Sequence, residues 1–495
     1  MSFSSLPRLR PQRFGLVLTS FLHKPGLAFA DVLPEEKIQA AFDKAGVAFA
    51  QEEDEVYSPP VTLWAFLSQV LFKQEQRSCV AAVARVVVLM AALGKQVSGN
   101  TGAYCRARAK LPEAVIERLA RTLAEGCERS LPEAWLWHGR HVHLVDGTTV
   151  SMPDTEANQQ AWPQHGAQRQ GLGFPIARMV ALLSLATGML RGMALGRYMG
   201  KETGETALLR ELFDQLPAGD IILADRYYSS YFMIALLWQL GLDFVGRLHQ
   251  KRTVDFRRGR RLGKGDHIVR WTRPAKPDWM DQETYDRMPE SLELRELEVQ
   301  VDQPGFRSES LVVVTTLSDA QQYSKDDLAE LYHKRWLAEL DIRSIKISVG
   351  LDVLRCCSPE MVRKEIWTCL LAYNLIRKTM LEAAEKSQLS PRQLSFTAAM
   401  QKIAAGWIAV LGLAEPEMAL LIELHLKDMA SYQVGDRPDR VEPRAIKRRP
   451  KPHKLLTQSR HEARAALMAG KVPEEARIPG WAREPECEFD SSGAR

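Results

Sequence analysis

The sequence predicts an α/β protein: a mixed β-sheet with helices packed on it, preceded by an all-helical segment and followed by further helices. Three observations carry this reading. Apolar residues repeat at helical spacing up to about residue 135. Short apolar runs of strand length, separated by turn residues, begin at 136 and alternate with helical runs. A long stretch rich in strand and turn signals, 249–320, interrupts that alternation before the helices resume.

The elements follow in order. In the helical segment, PPVTLWAFLSQVLF and VAAVARVVVLMAAL are apolar without strand alternation, and LPEAVIERLARTLAEG repeats Val115, Leu119 and Leu123 on one face. Between the last two lies SGNTGAYCRARAKLP, which reads as a turn-rich link carrying Arg106, Arg108 and Lys110. The segment reads either as a packing bundle or as a domain recognising DNA ends. HVHLVDGTTV then reads as a strand ending at Asp146-Gly147, and IARMVALLSL-ATGM-LRGMALGRY as a hairpin. GETALLRELFDQLP reads as a helix, DIILADRYY as a short buried strand ending at Asp225, SSYFMIALLWQLGL as a helix and DFVGRLHQ as a strand. The β-rich insertion has no predicted helix of its own. SKDDLAELYHKRWLAELDIRSIKISVG reads as one helix capped by Ser324, with further helices at 359–385 and 396–428. The Pro- and Arg-rich end beyond 431 reads as a loosely docked tail. The expected divisions are 1–135, 136–248, 249–320, 321–385, 386–430 and 431–495.

Composition narrows the function classes. Seven cysteines, an odd number with no CxxC spacing, argue against a disulfide framework or a zinc ribbon and suit a reducing cytoplasm. The formal charge of +5 is mildly basic and points to an anionic partner only where cations cluster, as in RRGRRLGKGD and RAIKRRPKPHK. Near the N-terminus GLVLTSFL and AFA imitate a leader, but His23, Lys24 and Pro25 interrupt it. The run 80–93 is too short to span a bilayer and holds Arg85, so no membrane segment is expected.

Asp146 and Asp225 each follow a buried apolar strand and open a loop, where a rigid strand fixes a reactive group and a loop exposes it. Neighbouring strands would bring the two carboxylates together. Glu339, in YHKRWLAELDIRSIK, is the third candidate. At about 100° per residue, Tyr332, Arg335, Trp336, Glu339, Arg343 and Lys346 share one helix face. Alone, Glu339 would read as an i,i+4 partner of Arg335 or Arg343, Asp146 as an Asp-Gly turn and Asp225 as a helix cap. Together the three carboxylates would repel one another without a hard cation, and Mg²⁺ suits oxygen ligands that leave room for water and phosphate. Arg335, Lys346 and Tyr332 would then meet phosphate oxygens, with Arg226 beside Asp225 as a further DNA contact. His138, His141 and His143 raise a zinc site, but no cysteine is near and a strand surface fits them better. Trp64, Trp238 and Trp367 read as core.

Tyr332-x2-Arg335-x3-Glu339-x6-Lys346 resembles, without a gap, the YREK signature of DDE transposases in the insertion-sequence-four family of bacteria. Asp146 in VDGTTV and Asp225 in LADRYY match that family's two aspartate motifs, and a long β-rich insertion precedes the Glu, as it does there. The resemblance covers roughly 136–385, with a looser likeness in VEPRAIKRRPKPHKLL. It implies an RNase H-like core and two Mg²⁺ ions per site, replaceable by Mn²⁺, held by Asp146, Asp225 and Glu339. It implies binding to double-stranded terminal inverted repeats as a homodimer in the bacterial cytoplasm at the nucleoid, cleavage of both ends by water, and insertion by a DNA 3′-hydroxyl. Relatives often cut the second strand through a hairpin, with tryptophans steering a flipped base. Trp336 matches one such position, and Trp271 or Trp279 would be the other. A decayed or domesticated DNA-binding relative and an RNase H-like nuclease are the competing expectations.

Overall fold

A computed structural model of the chain describes residues 35–46, 56–92, 95–300, 310–409, 415–435 and 456–470. The leader-like N-terminal stretch and the RAIKRRPKPHK run lie outside the described residues.

Nine strands form one sheet in the order β3-β2-β1-β4-β5-β9-β8-β7-β6. The strands are β1 Val142–Ser151, β2 Ile176–Ser184, β3 Leu190–Arg197, β4 Ile221–Ala224, β5 Asp243–Arg247, β6 Arg260–Gly263, β7 Asp266–Thr272, β8 Ser291–Gln300 and β9 Ser310–Thr315. β1, β4 and β5 run parallel, while β2 and β3 form the antiparallel hairpin read from the sequence. This five-stranded unit is the RNase H-like core. β9 pairs antiparallel with β5 and carries β8, β7 and β6 outward, so the insertion prolongs the sheet.

The strands are buried on both faces because apolar residues occupy both phases of the pleat. Leu144, Ile221 and Leu223 enter one core, whereas Val145, Ile222 and Ala224 enter the other. The second core is closed by short helices that follow the hairpin and β4. The first is larger. It receives the N-terminal helices, among them α2 Pro59–Leu71 and α5 Glu113–Arg129, and the long α12 Pro359–Lys386, which packs on both. Trp64 and Trp367, 1% and 3% exposed, lie in this core as expected. Trp238, 54% exposed, does not: it falls on the solvent side of α8 Tyr231–Gln239.

Four local expectations are corrected. The expected link at 98–112 contains α4 Thr101–Lys110, which starts where the Asn100 side chain accepts the Gly102 N–H and is held by burial of Tyr104 and Ala107. Arg108 donates to Gln69 Oε1 at 2.9 Å. The insertion holds a short helix, α9 Gln282–Arg287, capped by Asp281. The segment 324–350 is not one helix. α10 Lys325–His333, capped by Ser324 and Asp327 as a reciprocal box, ends in a tight turn, and α11 Trp336–Arg343 begins after it. The turn comes from i→i−3 bonds, Arg335 N–H to Tyr332 O and Ala338 N–H to Arg335 O, both 3.0 Å. A π-helical turn, Ser344–Ser348, follows α11. Finally, β1 does not stop at Asp146-Gly147 but runs on to Ser151, paired throughout with β2.

Candidate active site

The register of the parallel strands brings the two aspartates together. Val145 pairs with Ala224, so Asp146 and Asp225 stand one step further along adjacent strands, which lie about 4.8 Å apart in any sheet. Both occupy the pleat phase of Leu144 and Leu223, the face on which α11 packs against β1. Asp146 Oδ1 accepts the Gly147 N–H at 2.8 Å, and Asp225 Oδ1 accepts the Tyr227 N–H at 2.7 Å, fixing the turn after β4. Burial, with the charges of Asp225 and Glu205 added, pushes the Asp146 carboxyl up to about 6, while the Gly147 N–H and the Arg335 guanidinium oppose the rise.

Glu339, on the first turn of α11, is turned to a cation. Its Oε1 accepts from Arg335 Nη2 at 2.6 Å. Arg335 sits between Glu339, Tyr332 and Asp146. Burial works against its charge, but these neighbours outweigh it and raise its pKa. The side chains predicted to meet phosphate are mostly engaged inside the protein. Tyr332 is 7% exposed, and burial raises its hydroxyl pKa. Lys346 Nζ donates to Thr148 Oγ1 at 3.2 Å and to Thr149 O at 2.9 Å, tying the π turn to β1 just beyond Asp146. Arg226 is exposed, with Nη1 on Gln250 Oε1 at 3.1 Å.

The tryptophans divide. Trp336 is half exposed beside the site. Trp279 is partly exposed under the Arg210 guanidinium, 3.9 Å from its ring centre. Trp271 is buried, its Nε1–H on Glu296 Oε1 at 2.9 Å and Arg252 at 3.5 Å over its ring, so no base can stack on it without repacking the core. The histidines do not converge. His143 is buried in the strand, not on its surface, with Nε2 2.7 Å from Asp220 Oδ2.

Sequence reasoning missed Glu205, the first residue of α7 Glu205–Arg210. Its side chain lies against Gly147, and its Oε2 accepts from the Tyr228 hydroxyl at 3.3 Å. The available signal was faint: an acidic residue opening the helix that leads to Asp225.

Among the described residues no three His, Cys, Asp or Glu side chains converge on one point as a preformed metal cage. The donor chemistry nonetheless fits a hard divalent cation. Asp146 and Asp225 stand side by side, and a cation between them would relieve the burial and like charge that disfavour the ionised form of Asp146. Glu339 would join them by exchanging Arg335 for the cation.

The transposase DDE domain family matches residues 137–375, which span the two aspartates, the insertion and Glu339. Over 362 residues, 68% of this chain and 77% of the relative, the sequence is 27% identical to transposase InsG for insertion sequence element IS4 of Escherichia coli (strain K12). Together the two matches support a DDE transposase of IS4 type. A synaptic complex of piggyBac transposase with hairpin DNA is a further structural likeness, covering 84% of each chain at 10% identity, but its TM-score of 0.41 is too low to support a conclusion. No helix among the described residues of this chain is long and apolar enough to cross a membrane.

Proposed function

We propose that this chain is a transposase that cuts at the terminal inverted repeats of an insertion sequence and joins the freed 3′-ends to target DNA, with Asp146, Asp225 and Glu339 holding two Mg²⁺ ions. The observation that carries the reading is the placement of Asp146 and Asp225 side by side on adjacent parallel strands, with the Glu339 helix packed on the same face. Ions held by these carboxylates would supply the positive charge that an in-line phosphoryl displacement needs. In cleavage, water attacks the phosphodiester, its oxygen joins phosphorus, and the 3′-oxygen leaves and takes a proton. In joining, that 3′-hydroxyl attacks a target phosphodiester and releases another 3′-hydroxyl.

The chain's own residues orient this chemistry. Lys346 holds β1 in line beyond Asp146, and Arg335 covers the carboxylates until DNA and cations arrive, then turns to phosphate. Trp336 and Arg226, both exposed, are the DNA contacts nearest the aspartates, and Trp279 suits a flipped base better than Trp271 does. The helices up to residue 135 bind the DNA end. A homodimer brings two ends together in the bacterial cytoplasm.

A second reading has one observation in its favour. The Glu339–Arg335 pair is what a DNA-binding relative that no longer cuts would retain. The test is cleavage of a duplex carrying one flanking inverted repeat, with Mg²⁺ or with chelator. Wild type should nick at the repeat boundary only with metal, whereas Asp146→Ala and Asp225→Ala should bind the repeat and leave it intact. Binding without metal-dependent nicking by wild type would favour the second reading.

A further inference from the structure

We propose that Glu205 is a positioning residue of this site: braced by Tyr228, its charged carboxylate presses on Gly147 and strengthens the hold of Asp146 and Asp225 on a divalent cation. The inference rests on the metal reading above.

The geometry begins at Gly147. A Cβ built there would lie 2.2 Å from Glu205 Cδ and 2.4 Å from its Oε1, so the side chain of Glu205 fills the space that any other residue next to Asp146 would need. Glu205 reaches this place from the opposite side of the sheet. α7 packs on β2 and β3, and Gly147 lies in the pleat phase of Val145, facing the smaller core. Tyr228 holds the carboxylate there. It is fully buried, its hydroxyl donates to Glu205 Oε2, and its own N–H binds Asp225 O at 3.3 Å in the turn after β4. One carboxylate therefore touches the backbone beside the first aspartate and, through one tyrosine, the turn that carries the second.

The charge matters as well as the shape. Burial first, and then Asp225, disfavours the charged form of Glu205, with Tyr228 and Arg178 opposing. Glu205 in turn makes the ionised form of Asp146 less favourable. A cation between the aspartates is attracted by all three carboxylates, so the negative charge that burdens the metal-free site draws the cation in. Carboxylates behind a metal's direct ligands typically contribute about 10- to 100-fold in affinity.

The test is Mn²⁺ binding to the full-length protein, measured by titration calorimetry without DNA. The variants are Glu205→Gln, Gly147→Ala and, as the control that removes the site, Asp146→Ala. Gln keeps an oxygen for the Tyr228 hydroxyl and nearly the same shape, so thermal unfolding should match wild type. Its Mn²⁺ affinity should nonetheless fall about 10-fold. Gly147→Ala, whose methyl displaces the carboxylate, should also weaken binding. Glu205→Gln with wild-type affinity, while Asp146→Ala loses the site, would overturn the role of Glu205 and leave the metal reading intact. Equal binding by wild type and Asp146→Ala would overturn the metal reading, and this inference with it.

Discussion

At the scale of single residues, the site is a balance between burial and charge. The Asp146 carboxyl is held near 6, above its ordinary value of 3.8, so the folded, metal-free protein binds a proton there more tightly than the unfolded chain does. That contribution to stability is full below about pH 4 and is lost as pH rises to about 6. The interval corresponds to about 3 kcal/mol at 1.36 kcal/mol per pH unit. In urea unfolding with chelator present, Asp146→Asn should therefore exceed wild type in stability at pH 8, and the advantage should vanish near pH 3. An unchanged difference across that range would contradict the assignment. The two aspartates were legible as candidates because an apolar run followed by Asp is a local pattern, although β1 itself runs on past Asp146 to Ser151. Glu205 was not, because its meaning lies in a contact with Gly147 made 58 positions away and across the sheet.

Among the elements, α11 carries the third carboxylate of the proposed site, and two sets of contacts hold it. Asp341, two residues past Glu339 and 1% exposed, is paired with Arg377 of α12 and with Arg392, whose Nη1 lies 2.7 Å from Asp341 Oδ2. Arg392 also donates to Ser184 O and Leu185 O, both at 2.8 Å, tying the helix to the end of the hairpin strand. Asp341→Ala would leave two guanidinium groups without their counter-ion, and removing one partner of such a buried set costs about 3–5 kcal/mol. The urea midpoint should fall accordingly; a change below about 1 kcal/mol would show that the network relaxes into water. At the other end Lys346 holds Thr148 and Thr149. If that is its main duty, Lys346→Ala should lower cleavage yet leave the salt dependence of repeat binding unchanged. A lost phosphate contact would instead reduce the slope of log K against log salt by about one.

The break at Lys334–Arg335 escaped the sequence because a helical stripe has the same spacing on either side of a tight turn. Tyr332, Arg335, Glu339 and Lys346 keep their spacing, but no straight helix carries them. The helix at 101–110 escaped for the opposite reason. The Ser98-Gly99-Asn100 run in front of it and its own Gly102 resemble a loop, whereas Asn100 caps a helix of good helix formers that buries Tyr104 and Ala107.

For the molecule as a whole, alternation of strand and helix announced an α/β core, and the antiparallel hairpin before two parallel strands was readable as such. How the insertion joins it was not. β9 meets β5 across more than sixty positions, and strand partners so far apart leave no mark on periodicity. The consequence is one continuous sheet that carries the aspartates on the same face as α12 and the N-terminal helices. On that frame Glu339 is proposed to leave Arg335 and complete a metal site with Asp146 and Asp225. Cleavage of a labelled duplex bearing one flanking inverted repeat, in Mg²⁺, by wild type and by Glu339→Ala, tests it most directly. Wild type should nick at the repeat boundary and the variant should not, with repeat binding largely retained. Undiminished nicking by Glu339→Ala would contradict it and reduce Glu339 to a salt-bridged surface residue.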